Sequence, residues 1–187
     1  MLELHIPGDP IGKKRPRFAR IGKDVRTYKD PKEETAEGIW AWKAKALIPS
    51  GFQKIPKGCA VHLDIQFQFV RPSAHFGTGR NRDKLKPSAP VEHTQTPDVD
   101  NCEKFACDVM TKMLEIWADD CQVVSCMSSK QWADSGEEGE TRIWVDWDEA
   151  EAERLRPAQA IRDAKAEERR RQRAIEKRQS GVSRPAD

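Results

Sequence analysis

At 187 residues, with 37% hydrophobic and 34% charged side chains, the chain can build one core of about 150 residues plus an appendage. No run approaches the roughly 18 apolar residues of a membrane span, and five cysteines without dense spacing argue against a disulfide framework and suit free thiols in a reducing compartment. The net charge of +2 excludes little, but residues 1–32 carry nine Lys/Arg against four acids and residues 91–149 fifteen acids against four Lys/Arg, a division suited to holding a polyanion around a cation-filled cluster.

The start, Met-Leu-Glu-Leu-His, lacks a signal peptide's basic and apolar regions, so a cytoplasmic protein without membrane partners is expected. Leu2, Leu4 and Ile6 alternate with polar residues and predict a half-buried strand ending at Pro7-Gly8. Residues 7–20 are too rich in Pro and Gly for a helix and predict a loop, where Lys13, Lys14, Arg15, Arg17 and Arg20 surround Phe18. Such a loop either grips a phosphate backbone or solubilises the surface.

Asp30 as cap and Pro31 at the first position predict a helix over residues 31–48, stopped by Pro49-Ser50-Gly51. Ala36, Ile39, Trp40, Trp42, Ala46 and Leu47 should form its broad buried face, the tryptophans serving as core or dimer contacts rather than a base-stacking platform. Residues 61–70 alternate cleanly and predict a strand with one side against a helix layer. Residues 71–96 break every regular pattern while carrying Arg71, Arg80, Arg82, Lys84 and Lys86. So long a loop in a compact domain is usually functional or disordered, and DNA contact through Arg80, Arg82 and Lys84 is expected. His75 and His93 within it are read as surface histidines, not ligands.

The central stretch, residues 96–124, gathers Asp98, Asp100, Lys104, Asp108, Asp119 and Asp120 around one predicted helix. Asp100, Asn101 and Glu103 supply cap and first-turn residues. Cys102, Phe105, Ala106, Val109, Met113 and Ile116 recur at steps of three and four and must face a core, leaving Asp100, Lys104 and Asp108 on the other face. Two readings fit. Asp at a helix start can be only a cap, Lys104 only a solvated ion pair, and Asp119-Asp120 only a turn. Alternatively the fold brings the carboxylates together around a divalent cation, since unpaired like charges would raise one another's pKa, and Mg²⁺ takes oxygen ligands. Cysteine steps of five residues, Cys102/Cys107 and Cys121/Cys126, do not set two thiolates on one helix face, which argues against structural zinc.

Residues 122–132 and 141–147 predict two strands joined by the polar turn 133–140 as a hairpin. From residue 148 the sequence turns to Ala, Glu, Arg and Gln with isolated Leu155, Ile161 and Ile175, a solvated helix or a disordered tail. Its Arg169-Arg170-Arg171-Gln172-Arg173 run either touches DNA non-specifically or keeps the protein soluble.

Pro97-Asp98-Val99-Asp100-Asn101 followed by Lys104 and Asp108, then Trp117-Ala118-Asp119-Asp120-Cys121-Gln122-Val123-Val124, closely resembles the signature of RusA-type Holliday junction resolvases, and Lys14-Arg15-Pro16-Arg17-Phe18 resembles an N-terminal element of phage-type members. The likeness spans residues 1–147. Cys102 stands where a large apolar residue is usual, the Met113-Leu114-Glu115-Ile116 stretch lacks the glycine or asparagine common before the final aspartates, and Lys13-Lys14 replaces Lys-Gly.

The resemblance implies an α+β (mixed α/β) fold, a small mixed β-sheet packed by two main helices, as a nuclease domain over residues 1–148 with a charged extension over 149–187. It also implies a homodimeric, Mg²⁺-dependent endonuclease, often phage-encoded and acting in the bacterial host cytoplasm in DNA recombination and repair. Such an enzyme cuts paired strands of four-way junctions to leave 3′-hydroxyl and 5′-phosphate ends. By that likeness Asp98, Asp100 and Asp120 are metal ligands, with Asp119 less securely so, and Lys104 is the catalytic lysine; Mn²⁺ is a possible substitute. A two-fold dimer would present two sites to opposed strands. The rival classes are a non-catalytic branched-DNA-binding protein and a metal-dependent phosphatase or nucleotide hydrolase, the latter without need of three separate basic segments.

Overall fold

The computed structural model describes residues 1–14, 17–21, 24–28 and 31–181. Its elements in chain order are strand β1 (Leu2–Pro7), hairpin strands β2 (Arg17–Ile21) and β3 (Asp24–Tyr28), helix α1 (Pro31–Leu47), strand β4 (Val61–Phe69), helix α2 (Val99–Lys112), strands β5 (Val123–Trp132) and β6 (Glu140–Trp147), and helix α3 (Glu149–Gly181). The architecture is the expected α+β one, a mixed sheet of four strands under helices.

The sheet runs β1-β6-β4-β5. β4 is its axis, antiparallel to β6 with Leu63 opposite Val145 and Ile65 opposite Ile143, and parallel to β5 with Leu63 opposite Cys126. A parallel pair requires a long crossover. Residues 70–122 provide it, and α2 is the helix of that crossover, so the acidic segment is laid against β4 and β5 by topology. Alternating Leu2, Leu4 and Ile6, then Val61, Leu63, Ile65, Phe67 and Phe69, then Ile143 and Val145, bury one side of the sheet. That side meets Trp40, Ala41 and Ala44 of α1 and Cys102, Phe105, Ala106, Val109 and Met110 of α2. Trp40 and Phe105 join the two helices edge to face, centroids 6.0 Å apart.

Several expectations are corrected. The N-terminal loop does not stay irregular to residue 20, because residues 17–21 pair with 24–28 as a two-stranded hairpin. Asp30, the expected cap of α1, lies outside the described residues. The buried face of α1 is Glu33, Glu37, Trp40, Ala41 and Ala44, while Ile39, Trp42 and Leu47 are exposed, Trp42 by 73%. Counting apolar residues misplaced that face because two glutamates occupy it with a cationic partner.

β5 and β6 do not form a hairpin. β4 lies between them, and the link 133–139 passes its end, where Ala133 N–H donates to Phe69 O at 2.7 Å. Period-two alternation identifies a strand but not its neighbour, and β4, apolar and buried, takes partners on both edges. The central helix ends at Lys112; Met113 is half exposed, and Ile116, fully buried, packs from outside the helix. His75 and His93 are buried rather than at the surface. His93 stacks on Phe69 at 4.0 Å and His75 meets Trp132 edge-on at 4.8 Å, so their rings serve as apolar lids on the sheet's end. Residues 71–96 are, as expected, irregular, with two short 3₁₀ turns. The extension is a helix through Gly181, anchored by buried Ala152 and half-buried Leu155.

Candidate active site at the start of the central helix

The first turn of α2 is built from three directions. Asp98 holds the N-cap position in extended conformation, yet its side chain makes no capping bond and takes only a long 3.4 Å contact from Asn101 Nδ2. A capping aspartate normally spends its carboxylate on the helix N–H groups, so this one is available to another ligand. Lys130 of β5 holds the approach to the helix, its ammonium donating to Gln95 O at 2.6 Å and Pro97 O at 2.9 Å. The N-terminal loop closes the third side, where Lys13 N–H donates to Asn101 O at 2.8 Å. Gly12 is required there, since a Cβ would stand 2.5 Å from the Pro97 Cβ.

Asp100, Lys104 and Asp120 are exposed and make no hydrogen bond or ion pair with a described residue. Asp100, Lys104 and Cys107 follow one another at helical spacing on one face of α2. The hydrogen bond with Cys126 holds the Cys107 thiol low, and Asp120, after the reversal 113–119, comes close enough to oppose that electrostatically. Asp98, Asp100 and Lys104 therefore lie over the first turns of α2, while Asp120 stands in the 3₁₀ turn beyond its far end. Among the described residues, no group of three or more His, Cys, Asp or Glu side chains is placed within one chain to hold a metal ion. What the chain presents is a two-carboxylate set at Asp98 and Asp100, a donor set that fits a hard divalent cation whose other sites go to water and phosphate.

Two expected residues have other duties. Lys13, assigned to the DNA-facing loop, turns its ammonium inward to Glu37 at 2.7 Å, Asp108 at 3.1 Å and Glu33 at 3.5 Å. Burial opposes its charge, but the Glu37 and Asp108 hydrogen bonds win and push its pKa up to about 12. Asp119, named as a fourth ligand, caps the 3₁₀ turn Asp120–Gln122 and pairs with Lys57 at 2.8 Å, and those contacts hold its carboxyl well below the usual range. Both charges are satisfied by the protein.

Lys14 and Arg20 are exposed, as are Arg80, Arg82 and Lys84 on the crossover loop. Arg15 lies outside the described residues, and of Arg17 only the backbone, at the start of β2, is described. Gln122 is the residue whose role the spacing concealed. Its buried amide donates to Pro56 O at 2.7 Å and Cys59 O at 2.9 Å and accepts from Ala118 N–H at 3.0 Å and Asp119 N–H at 2.9 Å. It thereby clamps the turn that presents Asp120. A polar residue beginning an apolar strand was the signal.

Among the described residues Asp100 and Asp120 make no hydrogen bond or ion pair and Asp98 only a long one, while Lys14, Arg20, Arg80, Arg82 and Lys84 are exposed, a charge pattern of the kind met in enzymes that act on phosphate esters. Residues 7–145 match the family described as Endodeoxyribonuclease RusA, and the chain belongs to that family. Membership implies Holliday junction endonuclease activity, and members are generally dependent on a divalent metal. No curated protein matches the chain.

Proposed function

We propose that the protein is a Mg²⁺-dependent structure-specific endodeoxyribonuclease that resolves four-way DNA junctions as a symmetric dimer, in recombination and repair. The observation that carries this reading is the first turn of α2, where Asp98 occupies a cap position without capping and Asp100 makes no hydrogen bond or ion pair with a described residue. Asp98 and Asp100 would hold Mg²⁺, or Mn²⁺ in its place, with Asp120 as the third carboxylate. When bound, the ion polarises the phosphoryl oxygen, lowers the pKa of a coordinated water and neutralises the leaving oxygen. Lys104, one turn beyond Asp100 and exposed, supplies positive charge to the phosphate as its negative charge grows. Asp119 serves as the cap that fixes Asp120, and Lys13 as the anchor of the basic loop.

Duplex arms are held by Lys14, by Arg17 and Arg20 of β2, and by Arg80, Arg82 and Lys84 of the crossover loop. A dimer matches the two-fold symmetry of a junction and brings a second set of carboxylates to the opposed strand. The open edge of β5, with exposed Val124 and Met127, and the exposed Ile39 and Trp42 of α1 are surfaces suited to a second copy.

The test is Asp100→Asn on a synthetic four-way junction, with linear duplex as control. Binding should survive while the Mg²⁺-dependent cleavage rate falls at least about 100-fold, more than the loss of a residue supporting a metal ligand. Cleavage at the parent rate would remove Asp100 from the site.

A further inference from the structure

Helix α3 lies beyond the matched family segment, and its first turns are fastened to the body at a telling place. Lys57 N–H donates to Gln159 Oε1 at 3.2 Å, and the same lysine holds Asp119, next to Asp120. Arg162, one turn further along α3, stands near enough to Lys57 to oppose its charge. From there Arg162, Lys165, Arg169 and Arg173 recur at steps of three and four, with Arg170 beside them, and line one shallow groove along the helix. All five are exposed, and none makes an ion pair with a described residue.

Three acids of the helix pair with other cations, Glu149 with Arg156 at 2.5 Å, Glu151 with Arg154 at 3.5 Å and Glu167 with Arg171 at 2.5 Å, and Asp163 accepts from Gln159 at 2.7 Å. A solvated helix that merely needs charge would mix signs around its girth. This one sets five exposed cations, none in an ion pair with a described residue, on one stripe that begins beside the candidate catalytic turn and runs about 17 Å outward.

We infer that this stripe of α3 is a binding surface for the phosphate backbone of a duplex arm leaving the junction, a contact that rests on the nuclease reading above and extends it to the segment outside the family domain. About 17 Å of helix spans roughly five base pairs of duplex. Five cations over that length give the arm a continuous track away from the site of cleavage.

The test replaces Arg162, Lys165, Arg169, Arg170 and Arg173 together by Gln in the full chain, Gln being nearly as good a helix former. The control carries Arg154→Gln and Arg171→Gln, off the stripe. Helicity by circular dichroism is compared for all three proteins, and junction affinity is measured over a NaCl series. The slope of log affinity against log salt should be shallower by about 4.5 in the five-fold variant, from 0.9 per phosphate contact, and unchanged in the control. Coinciding slopes for parent and five-fold variant, at equal helicity, overturn the inference and leave the stripe to an acidic protein partner or to solvent. A parent that binds and cuts the junction while the slopes coincide loses only this inference; a parent that neither binds nor cuts loses the nuclease reading, and this surface with it.

Discussion

Replacing Lys13 by Met should unsettle the molecule far more than loss of a surface lysine. The Lys13 side chain is 16% exposed and its ammonium faces three carboxylates, on the Glu37, Asp108 and Glu33 side chains, themselves no more than 18% exposed. The rise of its pKa from 10.5 to about 12 corresponds to about 2 kcal/mol favouring the charged over the neutral lysine in the folded state. Methionine does worse than neutralise it, because it leaves like charges facing one another in a part-buried pocket, and removing one partner of such a cluster costs about 3–5 kcal/mol. In a domain of this size that is a fall in Tm of roughly 6–20 °C.

The sign with pH is fixed by the carboxylate. Asp108 is buried enough to resist ionisation, but Lys112 and Lys13 prevail and hold its pKa below 3.8. Its contribution is therefore complete above that value and is lost as pH falls through the lower, folded-state value. Urea unfolding of parent, Lys13→Met, Glu37→Gln and the double variant gives the assay. The double variant should recover at least about 1 kcal/mol relative to additivity. A single variant within about 1 kcal/mol of the parent refutes the caged-lysine argument and returns Lys13 to the surface.

Three further outcomes are expected. Gln122→Leu strands two carbonyls and two N–H groups and should lower stability by about 4 kcal/mol at about 1 per hydrogen bond, with junction cleavage falling alongside; near-parent urea midpoints would contradict it. His93 is buried first and repelled by Lys130 second, so its pKa lies below 6.5. Parent stability should then be full above that pH and decline below it, and His93→Phe should remove that part of the decline in a pH series of thermal melts. Glu115 sits at φ 52°, where only an exposed 3.2 Å pair with Lys54 favours it. Glu115→Gly should gain about 0.5–1 kcal/mol, since left-handed backbone is unfavourable for a side chain and exposed pairs contribute little; a loss would show that the turn needs the carboxylate.

Elements were legible where one face was buried and period alone decided the matter: β1, β4, α2 and the two last strands lie within a residue or two of their expected bounds, with α2 shortened at its end. Partnership was not legible. Nothing in residues 122–147 says that β4 separates β5 from β6, because that depends on β4 needing two neighbours. The inward face of α1 was missed for a related reason. Glu33 and Glu37 are buried against Lys13, which comes to meet them from 20 or more residues away. Long-range electrostatics of this kind leave no local periodicity to read.

Within the motif itself, spacing mixes two kinds of residue that the structure separates by their partners. Asp108 is taken by Lys13 and Lys112, Asp119 by Lys57 and its own 3₁₀ turn, and Gln122 by four backbone groups. Among the described residues, Asp100, Lys104 and Asp120 have no hydrogen bond or ion pair and Asp98 a single long contact. A carboxylate that folding has already satisfied gains little by binding an ion, whereas one left bare at the positive end of a helix keeps its full affinity for a cation. The division therefore follows from electrostatic accounting. Half the motif holds the loop and the turn in place, and the other half is exposed and charged, without an ion pair among the described residues.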